Sequence, residues 1–431
     1  MRITLMVFCV CVLAAHSIRA ETTLDIDTAV SMALNNNLAI ERARIETAGA
    51  KRKSERSWNS LIPSLGANAF INRPTPLINS GDAAENKWTP GFSFSASMLL
   101  SPAIFVDIRQ AKEEYELGVI NYQTARQELE FQVRRLYYQL LLLKENVSLT
   151  HQNAASAQSR HEQTLALRRT GQASNLDELS ARLDLQTQKT NAQNAETLYA
   201  NAVDGLKTLL MIPEEETVTL NGSLGFSTDF ATGDMTASRN KESLSTVFLR
   251  KSIETLATQR KAAQTRAYAP ALNLSWNTAP LYTNDVWIDP NGQFSVTLSL
   301  TLDNFLPWSA AKEQIDGLRD SIAVQQSLLR ETLMNSRNAV KQLERNIAQS
   351  IETLETLALN VTLAEETREM YEAAYRQGTS DFQSLRSARD SLSYAQNSVL
   401  EERYNLAEKI LQLEKELNIP FGSLGVEKTY E

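Results

Sequence analysis

The chain has 431 residues, with 51 acidic against 43 basic and only two cysteines. An acidic chain with no basic stripe and no aromatic–basic interleaving excludes a nucleic-acid binder. After the first twenty residues there is no cysteine and no run near the ~18 apolar residues of a membrane helix, which excludes a disulfide scaffold and leaves a closed β-barrel as the one way to span a bilayer.

Residues 1–20 read as a secretory signal, with Arg2 as basic start, residues 3–15 as apolar core and Ala20 as the cleavage position. Cys9 and Cys11 both lie inside it. Phe8 and Val10 precede them, which does not resemble a lipid-attachment context. Removing Arg2 and Arg19 from the 43 basic residues leaves 41 against 51 acidic, a net −10.

From 24 to 57 the pattern is helical, with Asp27 as candidate N-cap and Val30, Ala33, Leu34 and Leu38 on one face. Residues 62–72 alternate Leu65, Ala67, Ala69 and Ile71 with other residues, which predicts a strand entered at Pro63. A proline-rich loop over 73–90 leads to a second strand, 91–101, in which Phe92, Phe94, Ala96, Met98 and Leu100 alternate with Ser93, Ser95, Ser97 and, less cleanly, Leu99. Residues 103–169 then predict one helix, free of proline; ~65 residues at 1.5 Å each span roughly 100 Å, longer than any compact core. Gly171 suits a left-handed helix end. A second helix covers 175–211 and stops at Pro213, and residues 213–240 form an acidic, glycine-dotted insert.

The order then repeats. Residues 241–267 predict a helix, 270–278 a strand, 279–291 a loop and 292–302 a strand in which Phe294, Val296, Leu298, Leu300 and Leu302 alternate with Ser295, Thr297, Ser299 and Thr301. Residues 306–377 predict a second very long helix with heptad-like spacing, Gly378 a break, and 382–418 a final helix before Pro420. Pro63 and Pro270 lie 207 residues apart, as do Gly171 and Gly378. The chain is therefore read as a duplication: 21–212 and 241–420 are the repeats, 213–240 the insert between them and 421–431 a tail.

A wholly apolar face opposite a small-polar one suits a soluble sandwich strand or a strand of a water-filled barrel in lipid. Strand length and recurrence favour the barrel. Four strands cannot close alone, so the chain is expected to oligomerise, three copies giving twelve strands. Trp58, Phe105, Tyr268 and Trp308 flank the helix-side strand ends and Trp88, Tyr282 and Trp287 the far ends, as two interfacial aromatic girdles would require.

The segments 171–182 (GQASNLDELSAR) and 375–385 (YRQGTSDFQSL), with the strand entries at Pro63 and Pro270, resemble the paired hairpin tips and strand starts of the TolC family of bacterial outer-membrane efflux and export channels. The resemblance runs over essentially the whole mature chain. It implies a mainly helical fold with transmembrane β: a homotrimer with a twelve-stranded outer-membrane barrel above a periplasmic α-helical barrel. It also implies an equatorial region built from the 213–240 insert and the C-terminal residues. Such proteins are passive ducts joining a periplasmic adaptor to an inner-membrane pump of RND, ABC or MFS type.

On that resemblance the tips carry the periplasmic gate or adaptor contact, with Arg169, Gly171, Asp177, Glu178, Arg376, Gly378, Asp381, Gln383 and Arg386 as candidates. Asp177, Glu178 and Asp381 could form acidic rings under threefold symmetry or simply complement helix N-termini. Where some members have two carboxylates in the second tip, this chain has Gln383 and Arg386. No cofactor, metal or catalytic site is expected. His151 and His161 are ten apart, and there is no HExxH, phosphate loop or cysteine nucleophile. The rival reading is a coiled-coil structural or adhesive envelope protein without transport activity.

Overall fold

The computed structural model describes residues 21–73, 88–222, 242–283, 286–288 and 291–424. The expected signal, most of the 73–90 loop, residues 223–240 of the insert and the last seven residues lie outside it.

Two helices of 67 residues each, α3 (Ala103–Arg169) and α6 (Ala310–Arg376), set the scale. Each would extend about 100 Å. Each turns back into a shorter antiparallel partner, α4 (Asn175–Leu210) and α7 (Phe382–Glu416). Ahead of α3 come β1 (Glu21–Leu24), α1 (Ile26–Asn36), α2 (Leu38–Glu55), β2 (Ser64–Asn72) and β3 (Thr89–Leu100). Between α4 and α6 lie β4 (Thr217–Leu220), α5 (Leu244–Tyr268), β5 (Ala271–Thr278), β6 (Leu281–Thr283), β7 (Val286–Ile288) and β8 (Gln293–Ser299). The expected fold class, long helical hairpins plus a four-stranded sheet, is what is found.

The sheet runs β2-β3-β5-β8, all antiparallel. Apart from Leu99, which falls on the serine face opposite Asn273, the register of these four strands sorts polar from apolar along single rows. Ser64, Ser97, Ser275 and Ser295 pair across all four strands, as do Leu65, Ala96, Trp276 and Phe294 on the opposite face. A slip of one residue in any strand would mix the faces. The apolar face is uncovered: Leu65 is 83% exposed, Leu298 71% and Phe294 66%. The outer edges of β2 and β8 have no strand beside them among the described residues.

Several boundaries differ from the expectation. The stretch 24–57 is not one helix: α1 and α2 meet at Asn37, whose backbone is extended (φ −68, ψ 127). Its side chain accepts from Ala39 N at 2.9 Å and donates to Leu209 O at 3.0 Å, so a long-range bond holds the break. Asp25, not Asp27, precedes α1; the Asp27 carboxylate accepts instead from Arg134 Nη2 at 2.9 Å. The strand expected over 292–302 stops at Ser299, and Leu302–Phe305 tightens into a 3-10 turn that leads into α6. The loop expected over 279–291 contains the β6–β7 hairpin, paired to β3 through Leu281 and Gly91.

The main core lies near mid-height rather than along the hairpins. Val133, Tyr137, Leu140 and Leu141 of α3 pack with Leu206 and Leu210 of α4, Ala29, Val30 and Ala33 of α1, and the parallel pair β1–β4. Tyr137 Oη reaches the carbonyls of Leu24 (2.9 Å) and Asn221, clamping that pair. A second cluster joins Ile347 to Leu406, Ile410 and Leu413 of α7 and to the turn ending at Leu424. There the fully buried Glu414 accepts the N–H groups of Gly422 (2.9 Å) and Leu424 (2.8 Å). Burial pushes its carboxyl above the usual range, against the pull of those N–H groups. Further along the hairpins the buried residues are mostly small, as Ala157, Ala181, Ala192 and Ala195 show, so the helices approach closely.

Replacing Tyr137 by Phe takes the hydroxyl away from Asn221 O and leaves Leu24 O with the Asn221 N–H alone. It should cost about 1–3 kcal/mol, read as a lowered thermal midpoint, with hydrogen exchange rising first in β1 and β4.

Candidate functional site: the hairpin tips and the contact between them

The two tips are built alike from unrelated residues. α3 ends with Gly171 at φ +76, where Gly171 N donates to Arg168 O at 3.0 Å and Gln172 N to Leu167 O at 2.9 Å. α6 ends with Gly378 at φ +72, with Gly378 N to Tyr375 O at 3.0 Å and Thr379 N to Ala374 O at 2.9 Å. This paired 6→1 and 5→2 bonding satisfies the last helical carbonyls and needs a left-handed residue, hence glycine. The next helix opens at once on a side-chain cap. Ser174 Oγ accepts from Asp177 N at 3.1 Å while Ser174 N donates to Asp177 Oδ2 at 3.0 Å, a closed capping box. In the second tip Asp381 Oδ1 accepts from Ser384 N at 2.7 Å. That bond holds the Asp381 carboxyl below its usual range.

The candidate charges are therefore already engaged. Asp177, half-buried, closes its box, and the exposed Asp381 caps α7. Glu178 pairs with Arg168, which also donates to Asn175 Oδ1 at 2.9 Å. Arg376 donates to Glu372 at 2.8 Å, and Arg386 lies 3.8 Å from Asp390. Arg169 and Gln383 are exposed.

Just behind the tips the two hairpins meet, and here the structure assembles charges that the motif reading passed over. Glu372 of α6 lies 3.3 Å from Arg389 of α7 and 3.3 Å from Arg368, besides Arg376. Burial pushes the Glu372 carboxyl up, but the bonds from Arg376 and Arg389 outweigh it and hold it below the usual carboxylate range. From the first hairpin Arg160 of α3 donates to the buried Asp184 of α4 at 2.9 Å. Burial, then the nearness of Arg160, pulls the Arg389 guanidinium down to about 10. Arg160, Asp184, Arg368, Glu372 and Arg389 border a polar cavity of about 440 Å³ between the hairpins. The i, i+4 spacing Arg368, Glu372, Arg376 was visible in the sequence. That Arg389 faces it from another helix was not.

The interfacial aromatics fall at the two ends of the sheet. Trp58 sits in the 3-10 turn Ser57–Leu61 before β2, Phe105 in the first turn of α3, Tyr268 at the end of α5 and Trp308 just before α6. Tyr268 packs on Phe305 with ring centres 5.3 Å apart, and Trp308 is 79% exposed. At the far end Trp287 stacks on Phe92 at 5.4 Å and meets Tyr282 at 5.4 Å, while Arg73 lies over Trp88. Among the described residues no cluster of His, Cys, Asp and Glu could hold a metal ion; His151 instead contacts Glu196 at 2.7 Å.

Comparison with known proteins agrees with this architecture. A family model described as "Outer membrane efflux protein" matches residues 29–210. No curated protein matches the sequence. Among solved structures, the fold is similar to that of the Campylobacter jejuni CmeC outer membrane channel, at 16% identity, covering 91% of this chain and 85% of that one with a TM-score of 0.79. It is similar to the outer membrane protein VceC of Vibrio cholerae, at 14% identity, 92% and 96% coverage and a TM-score of 0.74. The open state of the Neisseria gonorrhoeae MtrE outer membrane channel compares at 18% identity, 91% and 89% coverage and 0.74. The TolC-like resemblance read from the sequence is thus borne out, and the fold is that of outer-membrane channels.

The pH sign follows from Glu372. Its folded-state carboxyl lies below the ordinary value of 4.5, so its contribution is complete above that value and is lost as pH falls through the folded one. Hydrogen exchange of the α6–α7 ends should rise on acidification through that window, and Glu372→Gln should raise it at neutral pH. Separately, Gly378→Ala, forced into the left-handed region, should destabilise the second tip by about 1–2 kcal/mol, seen as faster exchange confined to residues near 374–382.

Proposed function

We propose that this protein is the passive outer-membrane duct of a tripartite efflux or type I secretion system, working as a homotrimer. The observation that carries the reading is the four-stranded sheet with one uncovered apolar face, one uncharged polar face and two unpaired edges. In hydrocarbon an unpaired strand edge leaves backbone groups unsatisfied at several kcal/mol each, so the edges must find partners. Joining β8 of one copy to β2 of the next supplies them, and three copies give twelve strands with the polar face lining water. The likeness to solved outer membrane channels supports this choice over an adhesive or purely structural coiled coil.

The helical part fits the same assembly. Leu176, Leu179 and Leu183 on α4 and Leu359, Leu363 and Met370 on α6 recur at helical spacing and are exposed in the single chain. Such stripes suit contact between copies in a closed ring of helices. The ring would stand in the periplasm, with the aromatics at the two ends of the sheet as its membrane girdles. The tips, including Arg169, Gly171, Asp177, Glu178, Arg376, Gly378, Asp381, Gln383 and Arg386, would face a periplasmic adaptor and an inner-membrane pump that supplies the energy. With its carboxylates committed to caps and to ion pairs inside each hairpin, the tip would present no free acidic rings.

Purified mature protein, weighed in detergent and inserted into planar bilayers, should give a trimer mass and discrete conductance steps. A monomer that never inserts would sink the barrel reading and return these strands to a soluble sheet.

A further inference from the structure

The polar face of the sheet is not polar along its whole height. Going outward from the helices, it presents serine, then Gly66, Ser95, Asn277 and Gln293 on one row. Strands β2, β3 and β5 to β8 carry no charged residue at all. Farther out the same face changes character within a single row. Phe70 pairs with Gly91, Gly91 with Leu281, and Leu281 with Ile288, across four neighbouring strands.

Two independent contacts fix which way this row points. A Cβ built on Gly91 would lie 2.7 Å from the Phe70 ring and 2.7 Å from Leu281 Cδ2, so both side chains occupy the face that Gly91 shares with Ser93 and Ser95. Trp287 and Tyr282, the alternate residues of the β6–β7 hairpin, lie on the other face, where Trp287 stacks on Phe92. Leu281 is 38% exposed and Ile288 52% exposed, an apolar surface left open on the side where the inner rows are polar apart from Leu99 at the helix-side end. A strand exposed to water on that face has no packing reason for three apolar residues in line.

We propose that Phe70, Leu281 and Ile288, arranged over Gly91, form an apolar collar inside the outer mouth of the duct, which sets what passes there. The inference rests on the trimeric-barrel reading above. Threefold symmetry makes the row a ring of nine apolar side chains separated by three glycines. An apolar constriction sheds water and so disfavours ions and hydrated solutes, while bare apolar solutes cross it. Gly91 is the residue that makes room: any side chain there would displace the Phe70 ring, which covers the glycine as aromatic residues do on strands. Phe70 is the one large apolar side chain on the inner face of β2.

The test uses the whole mature trimer in outer-membrane vesicles. Ser95→Cys, placed inward of the collar in a chain otherwise free of cysteine beyond residue 11, reports access from outside. A small charged maleimide and a bulky hydrophilic one are added externally to Ser95→Cys alone, and with Phe70→Ser, Leu281→Ser and Ile288→Ser together. The collar predicts that labelling by the bulky reagent rises about tenfold in the serine background. Phe70→Leu, which keeps the apolar ring and the fold, should stay near the parent rate. Equal rates in all three backgrounds would overturn the collar while leaving the duct standing. Should the Ser95→Cys thiol react only with a lipid-soluble reagent, the faces are reversed, overturning the barrel reading and the collar with it. The gel mobility of the unheated trimer confirms that each variant is folded before its rate is compared.

Discussion

A sheet edge in hydrocarbon has nowhere to place its amides and carbonyls, and on the proposed reading that constraint organises this protein. The four strands of one chain are two-faced along nearly every inner row yet end, among the described residues, in unpaired edges at β2 and β8. In the proposed duct, closure through other copies would satisfy the backbone and at once make the polar rows into a lumen. The helices would share that symmetry. Hairpins built on 67-residue helices, with mostly alanine-sized buried positions below mid-height, cannot form a compact core and keep rows of leucine uncovered. What holds a single chain together is a belt at mid-height, where α1, α3, α4 and the β1–β4 pair bury Tyr137, Leu140 and Leu210.

The tips illustrate a division between turn and contact. Each turn is locally complete: a left-handed glycine closes one helix, and Ser174 or Asp381 opens the next. Neither turn needs the other. Behind them the ion pairs also stay within each hairpin, Glu372 gathering three arginines of the second and Arg160 turning to Asp184 in the first, and the two clusters face each other across the polar cavity. Arg389 and Asp184 are largely buried, so their balance matters more than that of an exposed pair, whose worth is small.

Most of this was legible along the chain. Long proline-free stretches without a compact-core pattern announced α3 and α6, and the serine alternation of 93–97 and 295–299 announced the sheet's two faces. The glycine breaks at 171 and 378 located the tips within a residue. The misses have physical causes. Asn37 splits a helix because its amide finds Leu209 O, 172 residues away. The β6–β7 hairpin hid because strands of three residues are too short to show a period. Leu300 and Leu302 kept the alternation, yet the chain had to turn there to enter α6.

The sequence by itself determined the periods: two in the strands, near seven in the helices, and the order of both, repeated 207 residues apart. Period and order are local properties of side-chain spacing. Only the tertiary structure decided which residues stand side by side. Phe70, Gly91, Leu281 and Ile288 come from four strands, and Arg160, Asp184, Glu372 and Arg389 from four helices. Cross-strand register and helix crossing bring such groups together, and neither is written in the spacing of any one segment.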